Sequence, residues 1–110
     1  MSKVVCPPDN WNVDEFILSL SSVSQNTVSA YRSDLTDFVA WCERGLADAP
    51  GTVDRLILRR YLAYLGTRNF AKRTIARKAS ALRRYFSWAR RTTLIATDPS
   101  VSLRAPSGEG

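Results

Sequence analysis

The sequence has 110 residues, of which 45% are hydrophobic, and carries a formal net charge of +6. This length is enough for one compact domain with an ordinary core, and it excludes two independently folded domains. The sequence has neither a run of about 18 apolar residues nor the apolar N-terminal stretch of a signal peptide, so we expect a soluble cytosolic protein with no membrane partner.

The cysteines do not form a metal-binding pattern. Cys6 and Cys42 lie far apart and the sequence has no histidine, so we expect no metal, no cofactor and no small-molecule substrate. Cys42 falls in register with an apolar helix face and is predicted to be a core thiol. Cys6 lies in a proline-flanked segment, residues 1–11, which is predicted to be flexible. A disulfide is disfavoured in a reducing compartment.

Periodicity and end signals predict four helices and no strand. The first runs from about Val13 to Ser21, with Asn12 and Glu15 as a capping box. The second runs from about Thr27 to Arg44 and stops at Gly45. Its apolar positions recur at steps of three and four and form one stripe, which consists of Val28, Tyr31, Leu35, Phe38, Val39 and Cys42.

The third and fourth helices follow a Pro-Gly loop. Thr52 is the predicted cap of the third helix, which ends near Leu65 with Gly66 as its stop. The fourth runs from about Arg73 to Thr92, and its inward stripe consists of Ile75, Ala79, Leu82, Phe86 and Ala89. Residues 98–110 open with at most one helical turn and are then rich in Pro, Gly and Ser, which is typical of an interdomain linker.

Charge is divided unevenly along the sequence. Residues 1–51 hold three basic and seven acidic side chains, a balance of −4, whereas residues 52–110 hold thirteen basic and three acidic ones, a balance of +10. Residues 72–91 contain eight cations and no carboxylate. We interpret these cations as unpaired, which predicts a partner that bears phosphates. The alternative is that this helix face is only solvated.

Arginines of the fourth helix are predicted to form one outward ridge. At about 100° per residue they fall within a sector of about 40°, opposite the apolar stripe, and they are Arg73, Arg77, Arg84 and Arg91. A helix fits the major groove of duplex DNA, where arginine bridges phosphates or meets guanine O6 and N7. Shorter contacts near the same end are expected from Thr74, Lys78 and Ser80. The cations that point to the flank are Lys72, Arg83 and Arg90. The sequence leaves open whether Trp88 packs against another helix or against a partner.

The start of the second helix is a weaker candidate site. Asn26, Thr27 and Ser29 offer polar side chains and free amides to a phosphate, but Asn26 or Thr27 serves equally well as a cap alone. Tyr31 lies at the edge of the apolar stripe, so its ring is expected in the core while its hydroxyl reaches outward. Arg32 is either a phosphate contact or a plain surface charge.

Three segments resemble one known family, in its order and spacing. Residues 27–38 carry the pattern T-x-x-x-Y-x-x-D-L-x-x-F, and residues 74–86 carry T-I-x-R-x-x-S-A-L-R-x-x-F. Residues 98–106 are similar to an N-P-(A/S) … L-x-x-P element. The sequence thus resembles the Xer and phage-integrase family of tyrosine recombinases. Lys72-Arg73 departs from the Ser-Pro or Pro-Arg pair that is common before the family's fourth helix.

The resemblance implies an all-α fold, a four-helix SAM-like core-binding domain over residues 12–97, with residues 98–110 starting a linker to an absent catalytic domain. Such a domain forms half of a clamp around a recombination half-site, and its second and fourth helices approach the major groove. Its partners would be double-stranded DNA and other recombinase protomers, at the nucleoid in the cytoplasm. The expected DNA-binding residues are Thr27, Tyr31, Arg32, Arg73, Thr74, Arg77, Lys78 and Arg84.

The sequence is predicted to be non-catalytic. In the family a tyrosine nucleophile acts with arginine, lysine and histidine-type residues of the following domain. Here histidine is absent and all four tyrosines lie in predicted helices, so none is expected to be a nucleophile. The alternative function is a helical protein-protein interaction module in recombinase assembly. A small nuclease is disfavoured, because carboxylates are sparse.

Overall fold

Four α-helices and one 3-10 turn make up the regular structure of the computed structural model, which describes residues 10–101 and Leu103. The elements are α1 (Val13–Leu18), α2 (Gln25–Cys42), the 3-10 turn (Pro50–Thr52), α3 (Arg55–Thr67) and α4 (Lys72–Arg91). The longest helix, α4, packs against each of the other three. The described residues contain no strand, and the predicted all-α, four-helix class is confirmed.

The caps of α2 and α3 differ from those predicted. Ser24 caps α2, where its Oγ accepts a hydrogen bond from the Thr27 backbone N–H at 3.1 Å, so α2 begins before Thr27. Asp54 caps α3, where its Oδ1 accepts from the Ile57 N–H at 2.9 Å. Both capping residues have extended backbone, which lets the side-chain oxygen reach the amide three residues on. Thr52 lies in the 3-10 turn instead.

We expect Asp54→Ala to lower the free energy of unfolding by about 1 kcal/mol, because it removes the acceptor for the Ile57 amide. Thr52→Ala is the matched control, since this threonine was the cap predicted from sequence and its hydroxyl only donates to the Ala49 carbonyl. Urea denaturation of the two variants measures both effects. A larger loss for Thr52→Ala than for Asp54→Ala would contradict the observed cap.

The first helix is shorter than predicted. It ends at Leu18, where the Ser19 hydroxyl donates to the Phe16 carbonyl at 2.6 Å and competes with further helical hydrogen bonds. At the other end, Asn12 has a left-handed backbone with φ 54° and its side chain makes no cap hydrogen bond. Its amide donates to the Glu15 carboxylate, so the pair predicted as a capping box interacts through side chains.

The third and fourth helices end in Schellman motifs. After α3 the Phe70 N–H bonds to the Leu65 carbonyl at 3.2 Å and the Asn69 N–H to the Gly66 carbonyl at 3.0 Å. Asn69 takes the required left-handed conformation with φ 63°, so Gly66 lies inside the helix and the predicted stop there is wrong. Thr93 takes the same conformation after α4, also with φ 63°.

Aromatic rings fill the centre of the bundle. Phe38 of α2 is fully buried and lies 5.0 Å from the Tyr61 ring of α3 and 6.2 Å from the Phe86 ring of α4, measured between centroids. All five positions of the predicted inward stripe of α4 are buried. Trp88 is buried too, with its ring 5.7 Å from that of Phe16, so the structure places it against α1.

Cys42 is a core thiol, as predicted. Its side chain is fully buried at the end of α2, and burial raises its pKa to about 12. The thiol is therefore protonated at neutral pH and is a poor nucleophile. Cys6 lies outside the described residues.

The chain after α4 folds back onto the bundle. Ile95, Ser100 and Leu103 are buried, and the Asp98 carboxylate accepts hydrogen bonds from both the backbone N–H and the hydroxyl of Ser100, at 2.8 and 2.6 Å. The Arg83 guanidinium donates to the Leu103 carbonyl at 3.3 Å. The division into domain and linker stays a prediction. Within residues 10–101, no helix combines the length and apolar character needed to cross a membrane.

Candidate nucleic-acid interface

An arginine ridge lies along the outer face of α4. It consists of Arg73, Arg77, Arg84 and Arg91, all exposed. Across the described part of the chain, Arg73, Arg84 and Arg91 have no carboxylate within 4.0 Å, whereas Arg77 has one. Three of the four charges on the ridge are therefore available to an anionic partner.

Asp34 of α2 holds Arg77 in a fixed orientation. The carboxylate accepts from Nε of Arg77 at 3.0 Å and from Nη2 at 2.8 Å, which is the two-pronged geometry of a strong arginine-carboxylate pair. The Asp34 side chain is 1% exposed and that of Arg77 is 46% exposed. The hydrogen bonds that Arg77 donates to Asp34 raise the pKa of Arg77, so the guanidinium stays charged, and its other N–H groups are left for a ligand.

Lys78 is not on the exposed ridge. Its ammonium lies 3.1 Å from an Asp34 oxygen and 3.2 Å from an Asp37 oxygen, and its side chain is only 5% exposed. It also sits over the Phe70 ring, 5.5 Å from the centroid. The sequence suggested that all cations of residues 72–91 are unpaired. This is wrong for two of them, Arg77 and Lys78, which form ion pairs with carboxylates of α2. The structure offers no exposed ammonium at Lys78 for a DNA contact.

The start of α2 meets the ridge through Tyr31. The Tyr31 ring is buried, and the Arg84 guanidinium lies over it at 6.0 Å from the centroid. Thr27 is half-buried, and its hydroxyl accepts from the Ser24 hydroxyl at 3.0 Å, so it belongs to the cap. Arg32 is exposed and forms an ion pair with Asp14 of α1.

The structure brings together some of the residues predicted from the sequence and separates others. Arg84 and Tyr31 meet, whereas Arg32 is directed to α1 and Thr74 is half-buried in the first turn of α4. Asp34 was not among the candidates, although it orders Arg77 from a neighbouring helix. The sequence did mark this residue, since Asp34 is the aspartate of the D-L-x-x-F pattern and lies at the apolar edge of α2.

The four tyrosines are buried or half-buried. Tyr31, Tyr61 and Tyr85 are buried and Tyr64 is half-buried, and burial raises the pKa of Tyr61 well above its ordinary value. No cluster of three or more metal-ligating side chains occurs among the residues described.

Comparison with known protein families matches residues 13–93, which span all four helices, to the phage integrase N-terminal SAM-like domain. The chain belongs to this family. The resemblance read from the sequence motifs is thereby confirmed. In this SAM-like domain, the family pattern of residues 27–38 contains Asp34 and that of residues 74–86 contains Arg77. The two patterns therefore meet through the ion pair between α2 and α4.

The SAM-like domain is similar to curated proteins named tyrosine recombinase XerC. It is 39% identical over 87 residues to the protein of Azotobacter vinelandii, and the aligned region covers 79% of this chain and 29% of that relative. It is 40% identical over 101 residues to that of Bifidobacterium longum subsp. infantis, covering 87% and 28%. With the Xanthomonas campestris protein it shares 31% over 97 residues, covering 86% and 30%. The chain thus spans less than a third of these relatives' length, and no solved structure matches it.

Proposed function

We propose that this SAM-like domain binds double-stranded DNA through α4 and the start of α2, as one jaw of a clamp on a recombination half-site in a tyrosine recombinase. The observation that carries the proposal is the arginine ridge, on which three guanidinium groups lack an acidic partner among the described residues. Phosphate contacts supply most of the affinity of such an interface and fix its register.

The ridge residues take different parts in this binding. Arg73 and Arg84 bind phosphates directly, since no ion pair has to be broken first. Arg77, which Asp34 already holds, offers a fixed set of N–H donors to a phosphate or a guanine edge. Arg32 exchanges its exposed partner Asp14 for a phosphate, because an exposed ion pair contributes little stability.

The domain contributes binding and not covalent chemistry. The Azotobacter vinelandii and Xanthomonas campestris relatives are more than three times as long as the matched region, and we assign the breakage and rejoining of DNA strands to their unmatched part. Its partners in this role are duplex DNA and other recombinase protomers, in the cytoplasm at the nucleoid.

Salt dependence tests DNA binding. We expect the affinity of the domain for a labelled mixed-sequence duplex to fall steeply with salt, since each neutralised phosphate contributes a slope of about −0.9 to log K against log salt. With one phosphate for each arginine of the ridge, the total slope is about −3.6. Fluorescence anisotropy between roughly 50 and 200 mM salt measures this slope. A slope near zero would reject electrostatic binding of DNA.

A module for recombinase assembly is the second candidate. Leu18 at the end of α1 is 83% exposed and lines a cleft together with Trp88 and Leu94, which would be the apolar contact of such a module. An apolar interface of this kind responds weakly to salt, so the same titration separates the two functions.

A further inference from the structure

A cleft of about 420 Å³ lies between the α1–α2 connection and α4. Residues 19–23 form one wall, together with the edge of Phe16, and the other wall consists of serines and arginines of α4. The arginines are Arg83, Arg84 and Arg91. Five serines line the cleft and no carboxylate does, so every ionisable group that faces it is cationic.

Neutral groups of the domain hold the three guanidinium groups in place. Arg83 donates to the Leu103 carbonyl at 3.3 Å and Arg91 donates to the Ser87 hydroxyl at 2.9 Å. Arg84 lies over the Tyr31 ring. None of these contacts cancels a positive charge, and each leaves further N–H donors for a ligand.

The opposite wall adds uncharged donors. Ser21 and Ser22 are exposed, and neither their hydroxyls nor their backbone amides form a hydrogen bond within the described residues. The backbone amide of Val23 is likewise free of a partner there. Hydroxyl and amide donors opposite guanidinium groups suit a ligand that only accepts hydrogen bonds and carries negative charge, which describes a phosphate oxyanion.

We propose that this cleft binds a phosphodiester group of the DNA backbone, between the α1–α2 connection and Arg83, Arg84 and Arg91. The inference rests on the proposed DNA binding and extends it, because it brings residues 19–23 to the DNA and gives Arg83 a specific contact. At about 420 Å³ the cleft is larger than a single phosphate group. Free inorganic phosphate shares the chemistry of this ligand and is the other possible source.

Ser21→Asp tests the proposal by placing a carboxylate in the cleft. We expect affinity for a labelled duplex at low salt to fall by about tenfold, and the salt slope to become shallower by about 0.9, as one phosphate contact is lost. Ala63→Asp makes the same charge change on the exposed surface of α3 and is expected to leave affinity within about twofold. Arg83→Gln repeats the test without adding a carboxylate and should also weaken binding.

An NMR titration with inorganic phosphate distinguishes the two ligand sources. It follows the backbone amide resonances of residues 21–23. Selective shifts of these resonances, together with weaker duplex binding by Ser21→Asp, support the proposal. Selective shifts with unchanged duplex binding would indicate a free phosphate site and overturn it. Equal effects of Ser21→Asp and Ala63→Asp would also overturn it. Neither outcome would overturn the proposed DNA binding by the arginine ridge. Arg73 does not line the cleft, so its substitution tests DNA binding independently.

Discussion

Replacement of Asp34 by alanine is expected to lower the free energy of unfolding by about 3–5 kcal/mol. The Asp34 carboxylate is 1% exposed and accepts hydrogen bonds from Arg77 and Lys78. Without it, the Lys78 ammonium keeps only Asp37 and remains buried. A buried charge whose one remaining partner is largely exposed is poorly compensated, and this costs far more than the loss of a surface ion pair.

Asp37→Ala is the matched control for this experiment. Asp37 contacts the same ammonium, but its side chain is 59% exposed, so its loss should cost about 1 kcal/mol or less. Urea denaturation of both variants compares the two costs. Combining Asp34→Leu with Lys78→Met removes the buried charges together, and we expect it to recover most of the stability. Similar losses of stability for Asp34→Ala and Asp37→Ala would contradict this prediction, because they would show that Lys78 does not depend on its buried partner.

The double variant Arg73→Ala/Arg84→Ala is expected to weaken duplex binding by about a hundredfold at low salt, because each arginine contact contributes about 1–3 kcal/mol. Its salt slope should become shallower by about 1.8, which corresponds to two phosphates. Fluorescence anisotropy with a labelled duplex measures both quantities. Folding should change little, since both side chains are exposed and Arg84 gives up only its contact with the Tyr31 ring.

Arg59→Ala/Arg60→Ala removes the same charge from α3 and serves as the control. Both arginines are exposed and lie outside the proposed interface. A general loss of positive charge acts weakly through screened solvent, so the control should bind duplex within about threefold of the original protein. If the two double variants lose affinity equally, binding depends on net charge and the ridge has no special role.

Helix periodicity was sufficient to predict the faces of α4, but it did not identify the residues that cap α2 and α3. Ile75 and Phe86 are buried and Arg73 and Arg84 are exposed, because a regular helix rotates by about 100° per residue and keeps each set on its own side. The cap of α2 was misplaced because Ser24, Asn26 and Thr27 are all good capping residues. The choice among them depends on which one has extended backbone, and that is Ser24.

The sequence pattern could not predict which charged residues form ion pairs at the site. Asp34 and Arg77 are 43 positions apart, and they meet only because α2 and α4 pack side by side. A count of charges along residues 72–91 detects the run of cations but no partners that come from another helix. Lys78 was counted among the unpaired cations for this reason, although its ammonium contacts two carboxylates of α2.

The arrangement around Arg77 also bears on the entropy of association. A mobile arginine side chain loses about 2 kcal/mol of rotamer freedom when a ligand immobilises it. Folding has already restricted Arg77 through its two bonds to Asp34, so this ordering cost precedes any encounter with a ligand. The domain therefore meets its partner with one guanidinium plane already aligned, which favours long residence of the complex.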